Sequence, residues 1–249
     1  PEILAVAALP ARNRPNAARH AGRDLASRPA AHTPRYGEST MSKKRLYAHV
    51  LLDRSGSMET CRDATVSAFN EYVNSLRMDE TVSARVSLTL FDDQGIDLVY
   101  DRLKPSETPT LTNDVFVPRG MTPLNDAIAR TAHSMERSDL RPNENTALVI
   151  LTDGLENASR EYSRDAIRKL LDRLQAEKNW LVLYLGANQD AFAEGAARGV
   201  TARHSLAFDT ENVREAVGAA AQATMRYAAS ARPAAAAFSE SERAAARRR

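Results

Sequence analysis

The sequence predicts an α/β fold: a Rossmann-like, doubly wound and mostly parallel sheet, with one antiparallel edge strand and helices on both faces. Three observations predict it. Short runs of β-forming residues alternate with segments whose apolar positions recur at spacings of three and four. Several of the β runs are apolar throughout, as strands covered on both faces must be. One pair of runs is joined by a link too short for a crossover, which makes that pair an antiparallel hairpin.

Each element follows in turn. Leu46 to Leu52 is an apolar, β-rich run that stops at Asp53. Val66, Phe69, Val73 and Leu76 then form one helical stripe to lie against a sheet. Arg85–Phe91 and Asp97–Leu103 are strands, and the link Asp92-Asp93-Gln94-Gly95 closes them as the hairpin. Pro123 stands where a first helical turn tolerates it, and Leu124, Ile128 and Met135 continue that helix's apolar face. Ala147–Leu151 is a buried strand. Ser163 caps a helix carrying Ile167, Leu170, Leu171 and Leu174. Trp180–Leu185 is the next strand, Gly186 leads to a short helix, His204–Phe208 is the last strand and Glu211–Tyr227 the last helix.

The 249 residues, 43% of them hydrophobic, suffice for one core. Residues 41–229 are expected to hold it. Residues 1–40 are rich in Ala, Arg and Pro without a period, and are expected to be a disordered extension, upstream of a plausible start at Met41. Residues 230–249 alternate Ala, Ser, Glu and Arg and are expected to be a disordered basic tail. The net charge of +2 is uneven. Residues 1–40 hold six Arg against three acids and residues 230–249 five Arg against two, so each end carries +3 and the body −4. A mildly acidic body is not the footprint of a nucleic-acid reader. No apolar run is long enough to span a bilayer. The single cysteine, Cys61, has no partner for a disulfide, and a cytoplasmic protein fits best.

In doubly wound sheets, ligands bind beyond the carboxyl ends of the parallel strands, where strand order reverses. Asp53 and Asp153 both follow such strands, and their strands are expected to be neighbours. Asp53-Arg54-Ser55-Gly56-Ser57 sets three oxygen-bearing side chains at alternate positions, facing one side. Hydroxyls and carboxylates suit a hard cation such as magnesium, with manganese as a substitute, better than zinc, which prefers nitrogen and sulfur.

Three segments carry a resemblance: Asp53-Arg-Ser55-Gly-Ser57, Gly120-Met-Thr122-Pro-Leu, and Thr152-Asp153-Gly154. In this order they resemble the metal-ion-dependent adhesion site of von Willebrand factor A-type (VWA) domains, and the likeness runs from about Leu46 to Tyr227. The stretches Phe116–Gly120, Leu151–Asn157 and Leu185–Asp190 look like those of small bacterial and phage members. The resemblance implies that Ser55 and Ser57 bind the metal directly, Thr122 directly or through water, and Asp53 and Asp153 largely through water. It also implies an open position that a partner protein's carboxylate fills. Met121 and Pro123 depart from common family residues without removing a ligand.

Other residues have plainer readings. Asp126, in a first helical turn, is explained by the helix dipole. Asp92 and Asp93 shape the hairpin turn. Arg54, Met58 and Arg119 flank the ligands and face either a partner or solvent. His20, His32, His49, His133 and His204 show no metal spacing, and Asn157-Ala-Ser159 matches a glycosylation acceptor by coincidence. The leading function is a metal-dependent protein-interaction module, its partner presenting an acidic residue. With no phosphate-binding G-x-x-x-x-G-K-[ST] loop in the chain, an associated ATPase would act in trans. The alternative is a metal-assisted hydrolase, which lacks a visible general base and nucleophile elbow.

Overall fold

The computed structural model describes residues 43–187 and 190–247. Residues 1–40, and Asn188 and Gln189 of the family-like stretch, lie outside them. The described residues build a six-stranded sheet in the order β3-β2-β1-β4-β5-β6. The strands are β1 (Lys44–Asp53), β2 (Val82–Asp92), β3 (Gly95–Leu103), β4 (Glu144–Thr152), β5 (Leu181–Ala187) and β6 (Ser205–Phe208). Every pairing is parallel except β2 with β3. Strand order reverses between β1 and β4, with Leu52 opposite Leu151 and Asp53 opposite Phe91. The two predicted acids therefore leave adjacent strands at the switch point.

Strand periodicity divides the core. Leu46, Ala48, Val50 and Leu52 face α1 (Arg62–Met78) and α5 (Val213–Ser230), meeting Phe69, Tyr72, Leu76 and Tyr227. Tyr47 and Leu51 face the opposite layer of α2 (Leu124–Arg137), α3 (Arg164–Lys178) and α4 (Ala191–Ala197), with Ile128, Ile167 and Leu171. Ser163 caps α3 as expected, its hydroxyl accepting the Ala166 N–H. The strands extend a few residues past their apolar runs, because ladder bonds continue onto polar positions that pattern alone does not mark.

The chain after Tyr227 departs from expectation. Residues 233–236 form a 3₁₀ turn, and α6 (Glu240–Ala246) follows with Ser239 and Glu242 closing a capping box. Ala236, Phe238 and Ala246 are buried in the α1/α5 layer of the core. The expected disordered tail from residue 230 is thus folded through Ala246. Its one large apolar residue, Phe238, and its cap suffice because the rest of the helix docks through Ala and Arg side chains. Among the described residues, no helix is long and apolar enough to cross a membrane.

Candidate metal centre

The site lies where β1, β4 and the loop before α2 meet. Asp53 is fully buried at the end of β1. Its Oδ1 accepts the Ser55 backbone N–H at 2.7 Å and its Oδ2 the Thr152 hydroxyl at 2.5 Å. Ser55 Oγ and Ser57 Oγ are 3.2 Å apart, and the Ser57 hydroxyl donates to Asp153 Oδ1 at 2.7 Å. Thr122 is buried, and Gly154 brings its hydroxyl into the group: a Cβ at Gly154 would lie 3.0 Å from Thr122 Oγ1 and 3.6 Å from Ser57 Oγ. A side chain at residue 154 would crowd the cradle that these hydroxyls line. The structure thus brings together all five residues that the sequence singles out: Asp53, Ser55, Ser57, Thr122 and Asp153.

The electrostatics are those of an uncompensated anionic pocket. Burial pushes the Asp53 carboxyl up to about 6, although hydrogen bonds from Thr152 and Ser55 oppose the shift and the Asp153 charge adds to it. Burial also pushes Asp153 up, against the Ser57 hydrogen bond. Two carboxylates held near three hydroxyls, with both acids short of stabilising charge, fit a hard divalent cation with oxygen ligands. The described residues contain no group of three or more His, Cys, Asp or Glu able to hold a metal, so any cation site here draws on hydroxyls.

Several residues that hold this site were missed or underread in the sequence. Thr152 fixes Asp53. Asn157 holds Thr122 from both ends of its peptide unit, since its Oδ1 accepts the Thr122 N–H at 2.8 Å and its own N–H donates to Thr122 O at 3.2 Å. The hydroxyl and amide hydrogen bonds of such residues leave no periodic mark in a sequence. Arg54 is only 7% exposed, so it does not face solvent or a partner as its loop position suggested. Asp92 shapes the hairpin turn by accepting the Gln94 and Gly95 N–H groups at 2.8 and 3.0 Å, but its other oxygen takes both Arg54 and Arg119. Asp126 stands in the first turn of α2 as expected, and has a further structural role: its carboxylate accepts the backbone N–H groups of Arg160, Glu161 and Tyr162. Gly120 sits at φ +64°, where any side chain is strained, and a Cβ there would stand 1.8 Å from Asp93 Oδ1, so that carboxylate would have to move off the Met121 N–H.

Two further side chains are excluded from the chemistry. His49 is buried between the Tyr47 hydroxyl at 3.0 Å and Thr89 Oγ1 at 2.8 Å, and burial lowers its imidazole to about 3. Cys61 is buried, and burial raises its thiol above the ordinary range, which keeps it inert.

No protein-family model and no curated protein sequence matches the chain. Solved structures do match. A von Willebrand factor type A protein from Catenulispora acidiphila has a TM-score of 0.52 at 15% identity, covering 74% of this chain and 43% of that one. The pilus adhesin SpaC of Lactobacillus rhamnosus GG, in an open conformation, has a TM-score of 0.58 at 14% identity, covering 74% and 30%. Proximal thread matrix protein 1 of the mussel byssus, with a zinc-occupied MIDAS motif, has a TM-score of 0.50 at 13% identity, covering 71% and 47%. The chain spans less than half the length of each of these proteins. At such identities the likeness shows the fold alone, and that fold is the VWA fold.

Proposed function

We propose that this chain is a divalent-metal-binding protein-interaction module, and that its cation is magnesium. The convergence of Asp53, Ser55, Ser57, Thr122 and Asp153 at the strand-order switch carries the reading. Ser55, Ser57 and Thr122 would supply hydroxyl ligands, while the two carboxylates balance the charge, largely through water. The bound cation would supply an electrophilic point for one carboxylate of a partner protein. A metal-occupied site on the same fold in the mussel protein supports the reading. That the metal there is zinc does not settle the ion here, because an all-oxygen donor set favours magnesium or manganese. A cytoplasmic, bacterial setting and an ATPase partner acting in trans belong to the same proposal. The mildly acidic body speaks against nucleic acid.

Thermal unfolding tests the cation. Millimolar magnesium should raise the melting temperature by several degrees, since a ligand bound only by the native state stabilises it by about 2.7 kcal/mol at a hundredfold excess over Kd. Zinc should give no comparable specific shift. An unchanged melting temperature in magnesium and manganese would sink the cation reading, and an equal response to zinc would sink the choice of ion.

The rim of the site supports an interaction role over catalysis. Six large apolar side chains among the described residues are well exposed, and four of them lie in the loops that carry Thr122 and Asp153: Val115 (38%), Val117 (42%), Met121 (46%) and Leu155 (58%). Met121 directly precedes Thr122 and Leu155 lies two residues after Asp153, and exposed apolar side chains beside a polar centre mark a contact surface. Met121→Ser combined with Leu155→Ser should weaken partner capture at least about tenfold while leaving the magnesium isotherm unchanged. Undiminished capture by the double variant would show that the partner binds elsewhere. Magnesium-dependent turnover of phosphatase or esterase substrates, lost in Asp153→Ala, would favour the hydrolase instead.

A further inference from the structure

The loop that carries Thr122 is tied to the loop that carries Ser55 and Ser57 through a set of contacts independent of any cation. Asp92 ends β2 with its side chain wholly buried. Its Oδ2 accepts Arg54 Nε at 2.7 Å from the first loop and Arg119 Nε at 2.9 Å from the second. Backbone bonds reinforce the pairing: the Arg119 N–H donates to Arg54 O at 2.9 Å and the Gly56 N–H to Gly120 O at 3.1 Å. Asp93 and Met121 exchange two more, Asp93 N–H to Met121 O at 3.1 Å and Met121 N–H to Asp93 Oδ1 at 3.0 Å. Asp97 holds the far end of Arg54 at 2.7 Å. On its other side Thr122 is fixed by Asn157. The Thr122 backbone is therefore held relative to the Ser55–Ser57 loop by contacts within the chain.

We propose that Arg119 and Asp92 are positioning residues that clamp these two loops and thereby make the site selective for a small cation over calcium. The proposal rests on the cation reading above. Magnesium demands oxygen ligands near 2.0–2.1 Å in close to octahedral geometry, whereas calcium takes six to eight at 2.3–2.6 Å in pliant sites. A frame that cannot widen favours the first. Asp92 is suited to this work because its two oxygens already accept four hydrogen bonds, so a shift of either loop costs a buried carboxylate one of its two guanidinium partners. Arg119 is the accessible half of the clamp: its side chain is 41% exposed, and its removal leaves Asp92 paired with Arg54.

The test uses the full chain carrying Arg119→Gln, with Asp92→Asn as a second variant and Arg119→Lys as the conservative one. Amide hydrogen exchange is read first, in chelator. Gly56, Asp93, Arg119 and Met121 should exchange faster in Arg119→Gln, while the amides of β4 keep their protection, and Arg119→Lys should restore part of the difference. Calorimetric titration with magnesium chloride and with calcium chloride follows. Magnesium affinity should fall about 10- to 100-fold, the usual cost of losing an outer support of a metal site. Calcium affinity should fall less, so that the preference narrows. Unchanged exchange in both variants would overturn the clamp, whatever the metal does. Faster exchange with equal losses of both cations would overturn the selectivity role. A wild-type chain that binds neither cation would overturn the cation reading and the selectivity with it, and the exchange result alone would then decide the clamp.

Discussion

Deletion of residues 232–249 should lower the melting temperature by on the order of 10 °C and leave a protein that associates through its exposed β6 edge. Among the described residues β6 pairs only with β5, so its outer side would offer unpaired backbone groups to another chain. The terminal segment covers that side. The Arg243 guanidinium donates to Ser205 O at 2.8 Å and Ala202 O at 2.9 Å, and lies 5.2 and 5.8 Å from the ring centres of Phe192 and Phe238. The Phe238 N–H donates to Arg203 O at 2.9 Å, and the Asp209 N–H reaches Ala246 O at 3.1 Å. Arg226 pairs with Glu242 at 2.9 Å across to α5. Phe238 is the anchor, and losing a buried Phe costs about 3–5 kcal/mol. For a domain of this size each kcal/mol moves the midpoint by about 2–4 °C. Melting followed by circular dichroism, with light scattering for association, gives the result. Phe238→Ala should reproduce most of the shift without the association. A truncated chain that melts like the full one and stays monomeric would mean that the terminal segment contributes nothing to the fold.

That segment also marks where the sequence stops being legible. The alternation of strands and helices and the helix faces follow from apolar periodicity, and the hairpin from its short link; the periodic signal is strong because each of those elements buries a wide face. Asp53 and Asp153 could be found from the strand-end rule alone, and Ser55, Ser57 and Thr122 from motif order. α6 buries only Ala246, with Phe238 just ahead of it, so its period is too weak to stand out. One signal was nevertheless available: Ser239 followed three residues later by Glu242 is a capping box, and it announces a helix start. The supports of the site were harder. Arg54, Asp92 and Arg119 are charged residues in loops or at a strand end, a pattern that ordinarily means solvent, and only their mutual contact buries Arg54 and Asp92. Asn157 hid behind a coincidental acceptor motif, because nothing local shows that its amide closes a pair with Thr122.

The sharpest test of the cation site sets Asp53→Asn against the wild type with and without magnesium. Burial pushes the folded-state Asp53 carboxyl up to about 6 from an ordinary value of 3.8. Between those values the folded protein binds more protons than the unfolded chain, so the contribution of this group is fully present below pH 3.8. It is lost as pH rises through 6. In chelator the wild type should therefore lose stability from pH 5 to pH 7.5, and the raised Asp153 adds to the loss with the same sign. A shift of that size corresponds to about 3 kcal/mol, which a neutral Asn would recover. Asn keeps an acceptor for the Ser55 N–H, and the Thr152 hydroxyl can turn to receive its amide. At pH 7.5 in chelator, Asp53→Asn should accordingly melt several degrees above the wild type and show the flatter pH dependence. Magnesium should then act on the wild type alone, because the variant lacks the carboxylate that balances the ion's charge. The gap should close, and it should reverse once magnesium exceeds its dissociation constant by several hundredfold. A stabilising substitution that abolishes a ligand response is hard to produce by general damage to the fold. Should Asp53→Asn melt below the wild type in chelator, or gain as much from magnesium, then Asp53 does not face a cation and the centre built around it is a set of structural hydrogen bonds.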